Sequence, residues 1–503
     1  MNVSLAAALL GSSLAAAVTP QDPKTATMQL PGSLEITGTM MADLDGDKQL
    51  DLVLACHNSS TGKRSLRMHV HQPRGVAFKS TPTHQPIELK DDIVAFTFCD
   101  YAATPGAELI VLTPEHVFAV TIKKSGEPTY RPLVRHQLVW PAADRDRVVP
   151  LPDAAVDFDG DGRTDLLLPR PDGWSVLFQD QKDNQATFAR HAETTLPRWQ
   201  DQIGKAVRGR GVSGDNNGFE LRFGGGKPTD VAGVLVRTST RTPKCQAIDF
   251  DGDGKLDLVA HRNGIMFAAI QSAPGALTMS QQPLPLSENR LKVIDPAFDV
   301  QWTDVNSDGR ADLLLTTSAQ RDGEVEARVD LFLTNEAGQW SNKPDKRLRM
   351  QPMARPPQVI DATGNGVNDL VCVTLRTSAM AKLTGSGNGS FDAQVSIYGN
   401  QDGQFVTPSM LSRALPLATN AKLKKPFFVV RPGRRGRAGD ILMLLDGHLE
   451  RRFMNAKNNE LTLAPPDART PVPDEARVLL CDALGDNILL VTGSEVRHLR
   501  FRR

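Results

Sequence analysis

The chain has 503 residues, well beyond what one hydrophobic core organises, so it holds several domains or a repeat architecture that grows by adding units. Hydrophobic residues make up 40% and charged residues 23%, which excludes wholesale disorder, and 5% aromatics beside 40 Gly and 34 Pro favour a turn-rich β protein over helical bundles. Lys+Arg and Asp+Glu both total 58, so bulk charge gives no reason to expect nucleic acid or a membrane surface as partner.

The chain opens with MNVSLAAALLGSSLAAAVTPQD, which has no charged side chain before Asp22. This apolar, Ala-rich stretch, ending in Ala15-Ala16-Ala17 ahead of Pro20, reads as a signal peptide over 1–17, although its start carries no Lys or Arg. No later stretch approaches the ~20 apolar residues of a membrane span. The expectation is an exported protein, secreted, periplasmic or at the cell surface, and monomeric. Cys56, Cys99, Cys245, Cys372 and Cys481 are too scattered for a disulfide scaffold. Four of them lie in apolar β-like runs and read as small buried hydrophobes.

From residue 43 onward one pattern recurs: an apolar residue, an Asp-rich loop, Asp-Leu, then a short apolar strand. MADLDGDKQLDLVLA, AVDFDGDGRTDLLLP, AIDFDGDGKLDLVAH and WTDVNSDGRADLLLT carry it clearly, with loops beginning at Asp43, Asp157, Asp249 and Asp304. VIDATGNGVNDLVCV, from Asp361, keeps the frame with weaker oxygen donors. Three copies are eroded: FCDYAATPGAELIVL keeps Asp100 and Glu108, VVRPGRRGRAGDILML keeps Asp440, and LLCDALGDNILLV, from Asp482, is shortened. The starts at 43, 100, 157, 249, 304, 361, about 432 and 482 give a modal period near 57 residues, room for four strands and their turns.

Such a unit is one blade of a β-propeller. The last copy supplies about three strands, and a strand around TATMQLPGSLEI has no other blade to join, so the two ends are expected to share a closing blade. This predicts an all-β, eight-bladed propeller of four-stranded antiparallel sheets as a single domain over 25–503, with seven blades as the alternative. The third unit is about 35 residues longer than the period, and its excess is placed at 198–233. The best helix candidate is PRWQDQIGKAV (197–207).

Each clear loop has carboxylates or amides at positions 1, 3, 5 and 9, counted from its first Asp, with Gly at 4 or 6. Ca²⁺ takes six or more oxygen ligands, and alternate carboxylates plus a backbone carbonyl at position 7 converge when such a loop folds tightly. The beginning imitates an EF-hand, but the closing acid comes at position 9 and leads into a strand. Asp, Asn and Gly also dominate metal-free turns. Against that reading, packed carboxylates repel unless something neutralises them.

In these loops the chain resembles the FG-GAP/VCBS repeat family, seen in the propeller of integrin α-chains and in secreted bacterial proteins. The resemblance implies a Ca²⁺-stabilised propeller that binds or scaffolds without catalysing. Carried over by position, it implies as ligands Asp43, Asp45, Asp47 and Asp51; Asp157, Asp159, Asp161 and Asp165; Asp249, Asp251, Asp253 and Asp257; and Asp304, Asn306, Asp308 and Asp312. A fifth and weaker set is Asp361, Thr363, Asn365 and Asp369. Near residue 432 the arginines Arg431, Arg434, Arg435 and Arg437 place cations where an ion would sit.

The expected partner is an extracellular glycan or protein. Exposed arginines in RPGRRGR (431–437), LERRF (449–453) and the terminal RFRR offer a surface for an acidic polysaccharide. The competing function is a polysaccharide-degrading enzyme of the lyase type, which needs a Lys, Arg, His or Tyr base at the axial mouth. The sequence shows no HExxH, Walker A or G-x-S-x-G pattern. Its tyrosines are Tyr101, Tyr130 and Tyr398.

Overall fold

Each apolar run that follows an acidic loop is a β-strand, and it is apolar on both faces because both are buried. In the strand Asp51–Asn58, Leu52, Leu54 and Cys56 pack with Met28, Leu489 and Val491, while Val53 and Ala55 pack with Phe96, Phe98 and Val111. The strand Asp440–Leu445 repeats the arrangement, with Ile441, Met443 and Leu445 in one cluster and Leu442 and Leu444 in another. Successive strand side chains point to opposite faces. Every such sheet is therefore sandwiched between two others.

The computed structural model describes residues 24–500 apart from 72–77, 79–81, 83–84, 103–104, 124–126, 141, 183–184, 196–198, 204–210, 216–217, 223–236, 243–244, 263, 274, 286–297, 322–323, 376–389, 419–426, 434–435, 458–459, 481–486 and 493–494, with backbone elements only between 199 and 244. Among the described residues every regular element is a strand, and eight sheets form the blades. Blade 1 has Leu34–Ala42, Asp51–Asn58, Lys63–His69 and Ile87–Glu88, and blade 2 has Ala95–Cys99, Glu108–Leu112, His116–Ile122 and Pro128–Arg135. Blade 3 has Ala155–Val156, Asp165–Arg170, Gly173–Lys182 and Gln185–Thr195, and blade 4 has Gln246–Ile248, Asp257–Arg262, Ile265–Ala273 and Ala276–Pro283. Blade 5 has Phe298–Thr303, Asp312–Arg321, Glu324–Phe332 and Lys346–Met350, and blade 6 has Gln358–Ile360, Asp369–Leu375, Ser390–Tyr398 and Leu411–Ala418. Blade 7 has Phe428–Arg431, Asp440–Leu445, His448–Lys457 and Glu460–Leu463.

Blade 8 joins the two ends of the described chain: Arg477–Leu480, Asn487–Val491 and Glu495–Arg500 are completed by Lys24–Gln29. The closing pair is antiparallel, from Lys24 opposite Arg500 to Gln29 opposite Glu495, and Gln29 Nε2 donates to the Glu495 carboxylate at 2.8 Å. Eight apolar clusters fill the spaces between neighbouring blades, including the space between blade 8 and blade 1. The ring is a closed β-propeller: closure covers the apolar sheet faces that an open array would expose and leaves only short, protected edges.

Beyond the plain repeat, Asn400–Gln401 and Gln404–Phe405 form a hairpin within blade 6, Ala468–Pro471 also pairs with His448–Lys457 in blade 7, and two further departures stand out. The extra length of the third unit carries a sheet of its own, from Trp199–Ile203, Gly211–Asp215, Gly218–Arg222 and Arg237–Thr242. The helix expected at 197–207 is not formed: Trp199–Ile203 is a strand paired along its length with Arg237–Thr242, a long-range partner that local spacing cannot reveal. The second departure is Val149–Pro150, which adds a parallel strand on the inner edge of blade 2 beside Ala95–Cys99. Leu151 N donates to Phe96 O at 2.9 Å, and Pro150 lies so close to Gly38 that a Cβ there would stand 3.3 Å from the proline ring. Between blades 1 and 2 the buried Arg64 guanidinium donates to the carbonyls of Ile93, Arg147, Lys90 and Asp91 at 2.8–3.0 Å.

A chain starting at residue 31 loses the closing strand together with the buried side chains of Met28 and Leu30. At about 1.5–3 kcal/mol for each buried side chain, denaturant unfolding is expected to show a loss of about 3–6 kcal/mol. An unchanged midpoint contradicts this closure.

Candidate metal centres

Each acidic loop leaves the end of a blade's first strand and closes on the first residue of its second. Ala42, Val156, Ile248, Thr303 and Ile360 end the first strands, and Asp51, Asp165, Asp257, Asp312 and Asp369 begin the second. Positions 4 and 6 take left-handed backbone in all five loops: Gly46 and Lys48, Gly160 and Gly162, Gly252 and Gly254, Ser307 and Gly309, Gly364 and Gly366. Gly46 is required twice over, by its φ of 79° and because a Cβ there would lie 2.5 Å from Pro105 of the next loop.

The turns wrap the first carboxylate. Asp43 accepts from Gly46 N and Lys48 N at 2.8 and 2.9 Å, Asp157 from Gly160 N and Gly162 N, both at 2.9 Å, and Asp249 from Gly252 N and Gly254 N at 2.7 and 2.9 Å. Asp304 accepts from Asp308 N and Gly309 N, and Asp361 from Gly364 N and Gly366 N. A carboxylate oxygen that accepts one N–H keeps a second lone pair for a cation.

The ninth residue does a different job from the one expected of a ligand alone. Asp51, Asp165, Asp257, Asp312 and Asp369 are buried. One oxygen of each accepts the amide at loop position 2, from Leu44, Phe158, Phe250, Val305 and Ala362, at 2.8–3.0 Å. The other oxygen accepts an amide at or just past the third strand, from His71, Gln179, Gln271, Thr334 and Asn400, at 2.6–3.3 Å. Burial pushes the Asp165, Asp257 and Asp312 carboxyls up to about 6 and raises Asp51 and Asp369, with the amide bonds opposing. The folded state thus binds protons more tightly than the unfolded state, so without a cation these groups make stability fall as pH rises from about 4 through 6.

Three of the predicted sets bring carboxylates together. One oxygen from each of Asp43, Asp45 and Asp51 lies within 4.8 Å of the others, and the same holds for Asp157, Asp159 and Asp165, and for Asp249, Asp251 and Asp257. The position-5 acids lie outside these groups: Asp47 accepts Gln49 N at 2.7 Å, Asp161 is paired with Arg163, and Asp253 with Lys255. Asp308 bonds both Asn306 Nδ2, at 3.0 Å, and Arg310, at 3.2 Å, so the loop at Asp304 has its own internal partners. In the loop at Asp361, Thr363 Oγ1 is 3.4 Å from Asp361, and Asn365 accepts Val367 N at 2.9 Å. Oδ1 of Asp159 is buried and has no hydrogen-bond partner.

Adjacent loops are also tied together. Ala107 N donates to Asp43 O at 2.8 Å, Leu256 N to Phe158 O at 3.2 Å, Asn368 Nδ2 to Asp304 O at 3.2 Å, and Gly439 N to Ala362 O at 2.8 Å. Spacing gave no signal for these bonds, because donor and acceptor belong to different repeats.

In blade 7 the loop has a cation of its own. Arg431, 1% exposed, is bonded through two nitrogens to both oxygens of Asp440 directly across the strand pair. Of the arginines expected to be exposed, Arg437 is exposed and Arg500 half-buried, but Arg431 and Arg451 are buried, Arg451 Nε lies 2.9 Å from Asp467, and the half-buried Arg452 lies 2.9 Å from Glu450. The charges of Arg431, Arg451 and Arg452 are used within blade 7. Arg434, Arg435 and residues 501–503 lie outside the described residues, as do the proposed signal peptide and Cys481. Cys56, Cys99 and Cys372 are buried free thiols, as expected, and Cys245 is a free thiol of intermediate exposure.

No family model and no curated protein sequence matches this chain. Solved structures similar to it include an Agrocybe aegerita lectin that recognises non-reducing terminal N-acetylglucosamine, at 13% identity and TM-score 0.40, covering 78% of this chain and 90% of that one. An exotype rhamnogalacturonan lyase aligns at 11% identity and TM-score 0.43, covering 95% and 76%. A β-propeller domain from Vanderwaltozyma polyspora aligns at 8% identity and TM-score 0.35, covering 78% and 91%. Likeness at this level bears on neither ligand nor reaction. No helix among the described residues is long and apolar enough to cross a membrane.

Asp257→Ala leaves Phe250 N and Gln271 N without their buried acceptor. At about 1–3 kcal/mol per unsatisfied donor, the expected loss is about 2–6 kcal/mol in denaturant unfolding, in chelator as well as in calcium. A loss confined to calcium would mean that Asp257 acts only as a ligand.

Proposed function

We propose that this is an exported propeller whose acidic loops bind Ca²⁺ as structural staples, and whose blades present a non-catalytic binding or scaffold surface for an extracellular glycan or protein. The observation that carries the calcium part is the triple convergence of carboxylate oxygens within 4.8 Å, with a buried unpartnered oxygen on Asp159. Oxygens on opposite sides of a Ca²⁺ ion at about 2.3–2.6 Å stand about 5 Å apart, so the clusters have the right span. Asp43, Asp45 and Asp51 would hold one ion, Asp157, Asp159 and Asp165 a second, and Asp249, Asp251 and Asp257 a third. Asp304, Asn306, Asp308 and Asp312 form a fourth, weaker set, and Asp361, Asn365 and Asp369 a fifth. The ion supplies positive charge where carboxylates crowd, and it joins a blade's first strand to its second. An affinity on the order of 10⁻⁴–10⁻³ M, as in other extracellular modules, suits a calcium-rich exterior.

The tyrosines favour binding over lyase chemistry. Tyr101 is buried beneath the Arg131 guanidinium, 5.4 Å from its ring, Tyr130 lies in the outermost strand of blade 2, and Tyr398 ends the third strand of blade 6. Burial raises all three hydroxyls above the usual tyrosine value, away from what a general base needs near neutrality.

Adding calcium to chelated protein is expected to raise the melting temperature in a concentration-dependent way, with about 1–3 kcal/mol gained per loop when free calcium stands about 5–150-fold above the dissociation constant. Asp251→Ala should lose one loop's share of that gain. Calcium-independent melting contradicts the reading. A glycan and surface-polymer array, run with calcium and with chelator, tests the binding role. Cleavage of a uronate polymer that disappears in tyrosine variants would replace it with the lyase.

A further inference from the structure

The three carboxylate clusters differ in how much positive charge the chain itself has placed on them. In the loop at Asp43, position 7 is the neutral Gln49, Lys48 at position 6 pairs with no carboxylate among the described residues, and Asp45 accepts the backbone amide of Asp47 at 3.2 Å. In the loop at Asp249, Lys255 pairs with Asp253, Asp251 accepts the amide of Asp253 at 3.2 Å, and Arg310 lies against Gly252 but gives its guanidinium to Asp308 of the next loop. The loop at Asp157 carries two cations: Arg163 on Asp161, and Arg190, from the outermost strand of blade 3, on Asp159.

Arg190 is held in that position from several directions. Its Nη2 lies 3.1 Å from Asp159 Oδ2 and 3.3 Å from Asp180 Oδ1, and its guanidinium stacks 4.6 Å from the centre of the Phe178 ring. Its stem lies against blade 4, where a Cβ on Gly275 would come within 3.3 Å of Arg190 Cδ. The side chain of Asp159 is 2% exposed, so the carboxylate has one oxygen on the guanidinium and the other buried with no partner.

We propose that Arg190 sets the calcium affinity of the blade 3 loop, making it the weakest of the three clusters, with the loop at Asp43 the strongest and that at Asp249 between them. This rests on the calcium reading. An ion on Asp159 Oδ1 would share one carboxylate with the guanidinium, which places the two cations about 5–6 Å apart. A unit charge facing a divalent ion at that distance weakens binding about tenfold even at the dielectric constant of water.

Hydrogen exchange of the full chain at buffered free calcium follows the three loops separately, through peptides covering 43–51, 157–165 and 249–257. In the unaltered protein the calcium midpoint for protection is expected to rise in the order 43–51, 249–257, 157–165. Arg190→Gln, which keeps most of the stem that packs on Phe178 but drops the charge, should move the 157–165 midpoint about tenfold lower and leave the other two in place. Arg190→Lys, which keeps the charge, should stay near the unaltered value. A 157–165 midpoint that stays put or rises in Arg190→Gln, while calcium still protects the loops, overturns the role of Arg190 and leaves the calcium reading standing. Failure of calcium to protect any loop in the unaltered protein overturns both.

Discussion

The constraint on which this propeller depends is a buried acid that must be shared between two pieces of backbone. At the start of the second strand in blades 1, 3, 4, 5 and 6 a carboxylate accepts one amide from the acidic loop and another from the far end of the third strand. A buried N–H without an acceptor costs about 1–3 kcal/mol, so the loop cannot open without also loosening the sheet. Two of the eroded blades use an acid at that position differently. In blade 2 Glu108 accepts from Tyr101 N and Ala102 N at 3.1 and 3.2 Å, and in blade 7 Asp440 turns to Arg431.

Crowding acids at the blade ends creates a charge problem that the chain solves in more than one way. Blade 7 uses a covalently attached cation. Lys255, Arg163 and Arg310 each pair with the carboxylate two residues before them. The clusters at Asp43, Asp157 and Asp249 leave carboxylates facing one another, and there a divalent ion is the natural counter-charge. Because neighbouring loops are hydrogen-bonded to each other, an ion held in one loop would bear on the blade beside it, in line with nearest-neighbour coupling in repeat proteins.

The architecture was legible because its cause is local and repeated. The acidic turns fix where five of the blades pass from first strand to second, and the continuous apolar runs after them mark strands buried on both faces. The split blade followed from a last repeat one strand short. What stayed hidden was set by distant partners: Trp199–Ile203 has a weak helical pattern but pairs with Arg237–Thr242, and Val149–Pro150 lines blade 2 through contacts made 54 residues away. At the candidate metal centres, spacing marks Asp45 and Asp47 as equal candidates. Only the fold shows that position 3 joins positions 1 and 9, while position 5 turns to its own loop. Arg190 carries no motif at all, and its place beside Asp159 comes from pairing within blade 3.

The most direct test is an anomalous-difference map from crystals grown in millimolar calcium, compared with crystals grown in chelator. The account predicts calcium peaks between Asp43, Asp45 and Asp51, between Asp157, Asp159 and Asp165, and between Asp249, Asp251 and Asp257, each about 2.3–2.6 Å from carboxylate oxygens. Ordered loops with solvent or nothing at those points, in the calcium crystals, would contradict it.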